Sequence, residues 1–332
     1  MTHKKRIVVV GGGTGTYTVL TGLKKYADQV DITAIVAMTD SGGSTGRLRD
    51  EFGYLPVGDV RMALAALASE GDEHDALIRK LFLHRFSTDG TVSGHNFGNL
   101  FLMALTDILG TEEEAITAAS RVLRVCGTVP PVTKKKVDLV AEYADGRHII
   151  GEHEIDEPHQ GAPTGKITRL GTTLEATLNT RARAALLEAD LIVLGPGDLY
   201  TSVLANCVVD GFKEAIQESK GTMVYVANLM TKVGQTSGMG VRSHVEEIAK
   251  YSGRMPDVVV VNDAVLPEEM LRRYAADGEY PVLIDCEGLS CSVVKKGLCS
   301  TEGITRKKGD TLKRSLIRHD SGALAQVLME LL

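Results

Sequence analysis

The 332-residue sequence contains no tryptophan, and aromatic residues make up only 5% of it. Single-stranded nucleic acids and glycans are commonly held on aromatic side chains, so this composition argues against such a platform. Positive charge is not in excess either, because 37 Lys and Arg residues face 43 Asp and Glu residues, for a net charge of −6. A basic surface for duplex DNA is therefore not expected, and we predict no nucleic-acid partner.

Long apolar runs are also missing. No stretch approaches the roughly 18–20 residues of a membrane-spanning helix, and the apolar run at 7–10 is shorter than the about 7–15 residues of a signal-peptide core. Cysteine is scarce: the five cysteines are odd in number and form no Cys-x-x-Cys pair, which fits neither a disulfide framework nor a zinc site. We therefore predict a cytoplasmic protein with no membrane attachment.

What the sequence does have is a strand–helix–strand rhythm. Residues 7–10 are β-branched and bounded by glycine, residues 16–26 are apolar at helical spacing, and residues 32–38 form a second apolar run. This unit predicts two parallel strands joined by a right-handed crossover. The rhythm returns after residue 180, with strands predicted at 189–194, 222–227, 257–261 and 282–285 and a helix at 203–218. The predicted fold class is α/β, with a doubly wound, mainly parallel, Rossmann-like sheet.

Two segments interrupt the rhythm of what we predict to be one large domain, residues 1–332. Residues of about 59–125 show helical spacing in four consecutive stretches, which indicates an inserted helical cluster. Residues of about 130–179 contain two β-like runs, 137–143 and 148–155, which Asp145-Gly146 joins as a hairpin. The remainder of this antiparallel excursion, 155–179, is predicted to be irregular. The core strands are therefore assigned to about 6–58 and 180–300.

Glycine and small polar residues follow directly after the predicted strands. The loops begin at Gly11, Thr39, Gly195, Asn228 and Asn262. The carboxyl ends of parallel strands lie on one edge of an open α/β sheet, so we expect these five loops to converge on one ligand crevice. Glycine lets backbone N–H groups approach a phosphate closely at a helix N-terminus. A nucleotide or another phosphorylated ligand is therefore predicted.

The first loop resembles the dinucleotide fingerprint Gly-x-Gly-x-x-Gly, but Thr16 stands at the position of the third glycine. Asp40 stands where an acid would bind a ribose hydroxyl, so NAD(P) stays open as an alternative ligand. Asp40, Asp59 and Asp198 are expected at or near the crevice, where each could bind Mg²⁺ beside a diphosphate, accept from a ribose hydroxyl or cap a helix. No nucleophile signature occurs, so no catalytic residue is assigned.

Arginine and histidine near these loops admit two interpretations. Arg47, Arg49 and Arg61 follow the glycine loops, and a planar guanidinium suits a phosphate, but each could instead be a solvated helix charge. The phosphate role is favoured for Arg47, is as well supported as the alternative for Arg61, and is less favoured for Arg49. His95 precedes an apolar helix, and its polar neighbourhood is as typical of a helix N-cap as of a ligand site. His153 and His159 do not have the spacing of a metal site, so we interpret them as structural.

Six segments taken in order resemble a known family. VVVGGGTGT, TDSGGSTGRLR, PVGDVR, GHNFGNL, LGPGDLYTS and NLMTKVGQT are similar to segments of the YvcK-type gluconeogenesis factors, within the CofD-like superfamily, over about residues 6–300. The resemblance implies a cytoplasmic protein needed for cell shape and wall synthesis on gluconeogenic carbon sources. It also implies a UDP-sugar ligand, UDP-N-acetylglucosamine in particular, and no established reaction. Related CofD enzymes transfer a phospholactyl group onto a deazaflavin, with nucleotide release and Mg²⁺.

The resemblance also implies a set of ligand contacts. Carried over by motif, they are Gly12, Gly13, Thr14, Asp40, Gly43, Ser44, Thr45, Arg47, Gly195, Asn228 and Thr231, with His95, Asn96 and Asn99 as a second tier. Two positions depart from the family pattern. Thr39 precedes Asp40 where an acidic pair is common, which weakens a two-carboxylate metal site, and Asp198 replaces a common serine and so adds a candidate metal ligand.

Three functions fit these features. In the first, the protein is a ligand sensor that binds a nucleotide sugar, needs no obligatory cofactor, and engages a protein partner in the control of morphogenesis. In the second, it is a CofD-like transferase of phosphorus-containing groups that uses Mg²⁺. In the third, it is an NAD(P)-binding protein. The sequence does not decide whether the protein is an enzyme or whether it forms a homo-oligomer.

Overall fold

The computed structural model describes residues 4–87, 90–159, 161–163, 165–300 and 316–332. The strands are β1 (Lys5–Gly11), β2 (Val30–Val36), β3 (Leu139–Tyr143), β4 (His148–Ile150), β5 (Ile167–Thr172), β6 (Leu191–Leu194), β7 (Thr222–Val226), β8 (Val258–Asn262) and β9 (Ser292–Lys296). The helices are α1 (Gly13–Leu23), α2 (Gly43–Phe52), α3 (Gly58–Leu67), α4 (Glu73–Phe82), α5 (Phe97–Leu109), α6 (Glu112–Val122), α7 (Glu152–Asp156), α8 (Thr180–Glu188), α9 (Leu204–Cys207), α10 (Phe212–Glu218), α11 (Val241–Ser252), α12 (Glu268–Ala276) and α13 (Ser321–Glu330).

Six strands form one parallel sheet in the order β2-β1-β6-β7-β8-β9. The chain leaves β1 for β2 on one side and later enters β6 on the other side of β1, so the topological switch point lies between β1 and β6. Strand β6 and most of β1 are buried, as expected for a parallel sheet covered on both faces by helices. The predicted doubly wound parallel sheet is confirmed.

The predicted helical cluster is present as α3, α4, α5 and α6. Three of these helices begin at a residue whose side chain caps a backbone N–H, namely Asp72, Asn96 and Thr111. Helix α3 packs on α1, and α5 packs on α6 and α4. Helix α3 therefore carries its first residues to the start of α1, which matters for the site below.

The antiparallel excursion is a three-stranded sheet in the order β4-β3-β5. The hairpin at Asp145-Gly146 is confirmed, but two details of the prediction were wrong. Residues 148–155 are not one strand, because β4 ends at Ile150 and Gly151, with φ of 104°, turns the chain into α7. Residues 155–179 are not wholly irregular, because β5 pairs with β3.

Three predictions for the parallel part of the chain were also wrong. Residues 282–285 form no strand, and the edge strand is β9. The side chains of β9 are largely exposed, and its sequence lacks the alternation of apolar and polar residues by which a strand is recognised. The helix predicted over 203–218 is interrupted at 208–211, where Gly211 has φ of 90°. A π-helical turn, Leu199–Val203, precedes it. The loop predicted to begin at Thr39 is short, because α2 already begins at Gly43. No helix among the described residues has the length and apolarity that a membrane crossing requires.

Candidate functional site

The loops after β1 and β6 meet at the switch point. Both are built around glycine: Gly13 has φ of 59°, Gly195 has φ of 76°, and a cis peptide joins Gly195 to Pro196. A Cβ on Gly15 would overlap the carbonyl oxygen of Pro196, and Gly197 lies against the carbonyl oxygen of Gly12. Only glycine permits this close approach of two backbones. The loops after β2, β7 and β8 leave the same edge of the sheet, as predicted.

A carboxylate lies at the N-terminus of α1. Asp59, from the first turn of α3, accepts a hydrogen bond from the backbone N–H of Gly13, with 2.8 Å between N and Oδ1. The other carboxylate oxygen lies so close to Gly12 that a Cβ there would overlap it. Helix N-termini attract anions, so Asp59 occupies part of the place where a phosphate is expected.

A second carboxylate lies at the N-terminus of α2. Asp40 Oδ1 accepts from the backbone N–H of Gly42 at 2.9 Å, and its Oδ2 lies against Gly58, the residue before Asp59. Burial raises the pKa of Asp40 and outweighs the hydrogen bonds from Gly42 and Thr45, which lower that pKa. Burial, and then the neighbouring charge of Asp40, raise the pKa of Asp59 to about 7. The two helix N-termini therefore share a pair of interacting carboxyl groups, one of which titrates near neutral pH.

Both helices retain donors at this edge. The first N–H groups of a helix have no intrahelical acceptor, and among the described residues no acceptor is bonded to the N–H of Thr14 and Gly15 in α1. The same holds for Gly43, Ser44 and Thr45 at the start of α2, within the described part of the chain. Five backbone donors at two helix N-termini thus have no acceptor within the described part of the chain.

A second charged cluster lies on the β6–β7 side of the switch point. Lys232 donates to Asp156 at 3.2 Å and has its Nζ 3.9 Å from Asp198. Gln235 donates to Asp156 Oδ1 at 3.0 Å, and Thr201 donates to the same oxygen at 3.3 Å. This cluster joins three loops: Asp198 and Thr201 follow β6, Lys232 and Gln235 follow β7, and Asp156 ends α7 of the small sheet.

The charges within this cluster are strongly coupled. Burial, and then the charge of Asp156, raise the pKa of Asp198 to about 7, although Lys232 opposes them. Burial alone would lower the pKa of Lys232, but the carboxylates of Asp198 and Asp156 outweigh it and raise that pKa. Asp198 is therefore a half-buried carboxyl that can carry a proton near neutral pH, next to a lysine that stays charged.

The polar residues predicted near α5 are mostly bonded to one another. Ser44 Oγ lies 3.2 Å from His95 Nδ1, and Asn99 Nδ2 donates to Ser44 Oγ and Thr45 Oγ1, both at 3.3 Å. Asn96, rather than His95, caps α5 by accepting from Gly98 N–H at 2.8 Å. Burial, and then the charge of Arg47, lower the pKa of His95. This network fixes α2 against α5, which is a structural role for Asn96 and Asn99.

The remaining predicted contacts are more dispersed. Asn228 donates to Gly197 O at 2.7 Å, so it positions the loop after β6. Buried Thr231 exchanges hydrogen bonds with Tyr280 and ties the loop after β7 to a later segment. Arg47 is exposed on α2 and donates to Ser93 O at 3.1 Å. Arg61 is buried and donates to Asn99 at 2.9 Å, so it is not the solvated helix charge considered above.

Sequence reasoning missed several residues of this edge. Glu152, His153 and Asp156 come from the small sheet, and His153 Nδ1 lies beside Gly42. Local pattern gave no signal for them, since only the folding of the excursion back onto the switch point brings them there. Lys232 stands within one of the six recognised segments, but the local sequence gave no hint of its carboxylate partners.

The carboxylates do not form a ready metal site. Within the described residues, no group of three or more His, Cys, Asp or Glu side chains is arranged to hold a metal ion. Asp198, the candidate metal ligand, faces Lys232 instead. A Mg²⁺ ion at this edge would therefore need oxygen ligands from a bound diphosphate in addition to protein carboxylates.

An α/β protein with glycine loops and two helix N-termini at its switch point belongs to the broad class of doubly wound α/β folds. More narrowly, the chain belongs to the CofD family, described as 2-phospho-L-lactate transferase CofD, whose match covers residues 7–299. The family resemblance inferred from the six segments is thereby confirmed.

The relatives of known name agree with this assignment. A Bacillus subtilis protein named gluconeogenesis factor is 38% identical over 334 residues, which cover 100% of this chain and 99% of the relative. A Thermotoga maritima protein, provisionally named a gluconeogenesis factor, is 41% identical over 323 residues, which cover 97% of this chain and 98% of the relative. A Bacillus halodurans crystal structure, from the UPF0052 family, shares 34% identity with a TM-score of 0.88, covering 99% of this chain and 100% of that one.

Proposed function

We propose that this chain binds a nucleotide sugar of the UDP-N-acetylglucosamine type at the switch point between β1 and β6 and acts as a ligand sensor in gluconeogenic growth. The observation that carries the proposal is the pair of helix N-termini, α1 and α2, which both present unbonded backbone N–H groups at this edge. A diphosphate has the charge and the acceptor oxygens that such donors bind.

The carboxylates at this edge determine the pH and the cations under which a diphosphate can bind. Asp59 lies at the N-terminus of α1, so an incoming diphosphate meets a negative charge unless the carboxyl group is protonated or a cation is present. Carboxylates near a diphosphate also suit the hydroxyl groups of ribose and of a sugar, which donate to them. The site therefore fits a ligand that combines a diphosphate with several hydroxyl groups.

A sensor needs no chemistry at the site, but it needs a conformational response. The crevice is assembled from the main sheet, the small sheet through Asp156 and the loop after β7 through Lys232. A ligand that bridges these parts favours one arrangement of them, and a protein partner in morphogenesis control can then recognise that arrangement. We place this activity in the cytoplasm.

A CofD-like transferase is the second candidate, and Asp198 favours it. A half-buried carboxyl with a pKa of about 7 beside the glycine loop is suited to accept or return a proton during group transfer. In this function Mg²⁺, when bound with the diphosphate, would neutralise charge on the leaving nucleotide. The side chains of this chain would hold the nucleotide and move the proton at Asp198.

Thermal unfolding with a ligand panel separates these functions. The panel is UDP, UDP-N-acetylglucosamine, UDP-glucose, NAD, NADP, GDP and GTP, each with and without Mg²⁺. A ligand that binds only the folded state at about a hundred times its Kd adds about 2.7 kcal/mol of stability. The proposal predicts a rise in Tm with UDP-sugars. A Mg²⁺-dependent rise with guanine nucleotides favours the transferase, a rise with NAD or NADP alone favours a dinucleotide protein, and no rise with any ligand contradicts all three.

A further inference from the structure

Two of the five cysteines, Cys286 and Cys291, lie in the segment that leads into β9. A turn separates them, and a hydrogen bond from Leu289 N–H to Cys286 O, with 3.3 Å between N and O, closes that turn. Gly288 within the turn has φ of 71°, the left-handed conformation that lets the chain reverse tightly. The chain is thus folded back after Cys286, with Cys291 on the returning arm.

The two thiols are partly accessible and lie near each other. Both residues are half-buried, so a small reagent can reach them. Burial, above all, raises the pKa of Cys286, and the Asp285 carboxylate and the Cys291 thiol add to this rise. The cations of Lys295 and Arg242 oppose the rise. Since solvent and salt screen charges at longer range, the effect of Cys291 on Cys286 agrees with the turn in making the two sulfur atoms neighbours.

The other three cysteines have different surroundings. Cys207 is buried in the core, and Cys126 donates from its Sγ to Leu67 O at 3.3 Å. Cys299 follows β9 and is half-buried like the pair. Within the described part of the chain, no second cysteine contributes to the pKa of any of these three. Joint chemistry of two thiols is therefore confined to Cys286 and Cys291.

Cys286 is attached to the start of α11. Leu283 O accepts from Val241 N–H at 2.9 Å. The carboxylate of Asp285, the residue before Cys286, accepts from Arg242 N–H, also at 2.9 Å. These N–H groups belong to the first turn of α11 and have no acceptor within their own helix. Residues 283–285 therefore form the N-terminal cap of α11.

Cys291 is attached to the sheet instead. It directly precedes β9, and Ser292 N–H donates to Asp257 O, next to β8, at 2.9 Å. A covalent bond between Cys286 and Cys291 thus joins the cap of α11 to the edge of the sheet through one short loop. Such a link restrains the cap without disturbing the core.

We propose that Cys286 and Cys291 form a modification site, at which a hydroperoxide oxidises the two thiols to a disulfide that locks the cap of α11 against the sheet. The thiolate of Cys286 attacks one peroxide oxygen, the O–O bond breaks, and a sulfenic acid forms at Cys286. The departing oxygen takes up the proton that the Cys286 thiol had released and leaves as water or an alcohol. The Cys291 sulfur then attacks the Cys286 sulfur, and the sulfenic hydroxyl leaves as water with the Cys291 proton. Two thiols are oxidised and one peroxide is reduced.

The surroundings of Cys286 assign it the first attack. Lys295 and Arg242 favour its thiolate, which is the reactive form, while burial keeps the group mostly protonated at neutral pH. Oxidation therefore accelerates as pH rises. A disulfide of this kind in a reducing compartment is transient and reports the presence of an oxidant. The modification does not depend on the nucleotide ligand proposed above.

The first test maps the bond in the full chain. Reduced wild type and the control Cys299→Ser are treated with hydrogen peroxide at pH 7 and pH 9, alkylated and digested for mass spectrometry. Both are expected to yield a peptide in which Cys286 and Cys291 are joined, and to recover the two thiols with dithiothreitol. The bond should form at least about tenfold faster at pH 9 than at pH 7, because the thiolate is the attacking form. Cys291→Ser should instead accumulate a sulfenic acid at Cys286, which dimedone traps.

The second test measures the lock by amide hydrogen exchange. Exchange in peptides that cover residues 241–246 is expected to be at least about threefold slower in oxidised than in reduced wild type. Cys286→Ser treated with the same peroxide is expected to show no such change. A disulfide between other cysteines, or oxidation of Cys286 and Cys291 no faster than that of Cys299, overturns the site. Unchanged or faster exchange at 241–246 overturns the lock. If a serine variant does not fold, the peptide map and the exchange of wild type decide alone.

Discussion

The carboxylate of Asp59, carried by α3, accepts a hydrogen bond from the backbone N–H of Gly13 at the start of α1, with 2.8 Å between Oδ1 and N. A side chain of the protein thus holds the position at which this type of fold binds phosphate. Burial, and then Asp40, raise the pKa of Asp59 to about 7. Protonation of a single side chain near neutral pH therefore changes the charge that a ligand meets.

The first prediction concerns stability against pH. Asp59 has a higher pKa in the folded state than the ordinary 3.8, so the folded state binds more protons between about pH 4 and 7 and its stability falls as pH rises through that window. Asp59→Asn keeps an acceptor for Gly13 N–H and removes the ionisation. Its Tm is expected to exceed that of wild type at pH 8, by a margin that shrinks towards pH 4.

Asp190→Asn is the matched control, and its expected change in Tm at pH 8 has the opposite sign. A hydrogen bond from the Arg6 backbone N–H, and then one from Lys5, lower the pKa of Asp190, so its ionised form stabilises the fold above that pKa. Asp190→Asn should lower Tm at pH 8 and have less effect in acid. A lower Tm for Asp59→Asn than for wild type at pH 8 would contradict our account of Asp59.

The second prediction concerns ligand affinity against pH. If a diphosphate binds at α1, it binds better when Asp59 is protonated, because two negative groups otherwise share one helix N-terminus. Without divalent cations, the affinity of wild type for UDP-N-acetylglucosamine is expected to fall between pH 6 and pH 8. Isothermal titration should find a weaker pH dependence in Asp59→Asn, and an identical pH dependence in both proteins would refute the competition.

The third prediction concerns Lys232. Its side chain and that of Asp156 are only 22% and 20% exposed, so Lys232→Met leaves the carboxylates of Asp156 and Asp198 without their cation. Breaking a buried ion pair costs about 3–5 kcal/mol, and we expect about 3 kcal/mol at pH 8 because these side chains keep some contact with water. Urea unfolding should find a smaller loss at pH 5, where the pKa of Asp198, raised to about 7, allows its protonation. If Lys232→Met loses the same free energy of unfolding at pH 5 and pH 8, unpaired charge is not the cause of the loss.

The fourth prediction concerns the contact of the two glycine loops. A Cβ at Gly15 would overlap Pro196 O, so Gly15→Ala must push the loops apart and is expected to cost about 1–3 kcal/mol or more. Gly171→Ala in β5 adds the same methyl group in open space and serves as control. Equal free energies of unfolding for the two variants would mean that the loops are not held together at the switch point.

The fifth prediction concerns Arg47. Its guanidinium is exposed and its hydrogen bond to Ser93 O lies at the surface, so Arg47→Ala should change the free energy of unfolding by no more than about 0.5 kcal/mol. If Arg47 contacts a bound diphosphate, the same variant should bind UDP-N-acetylglucosamine more weakly. Unchanged affinity would remove Arg47 from the ligand site.

The parallel sheet was predictable because its buried strands have a strong local signal. The run at Ile7 to Val10 and the sequence of β6 are apolar at every position, as strands covered on both faces must be. Strand β9 was missed because it is an exposed edge strand, where neither alternation nor continuous apolarity is required. Helix α2 was missed because its first turn consists of glycine and hydroxyl residues, which are typical of a loop.

The site was predictable only in part, because only some of its residues have a local sequence signal. Glycine loops that follow strands identify the edge of the sheet, since strand direction alone fixes where they lie. The partners of those loops come from elsewhere: Asp156 reaches Thr201 and Lys232 across 45 and 76 residues of chain, respectively. Likewise, Asn96 and Asn99 form hydrogen bonds to residues of α2 and α3, and a local sequence pattern could not predict these long-range bonds.

The central claim is that a nucleotide diphosphate binds where α1, α2 and the loop after β6 meet. Hydrogen-exchange mass spectrometry with and without saturating UDP-N-acetylglucosamine tests it most directly, because it reports which backbone amides the ligand protects. We expect slower exchange in peptides that cover residues 12–16, 42–46 and 195–203, and unchanged exchange in α6 and α13. Protection confined to other parts of the chain, or no protection under conditions in which the ligand is bound, would contradict it.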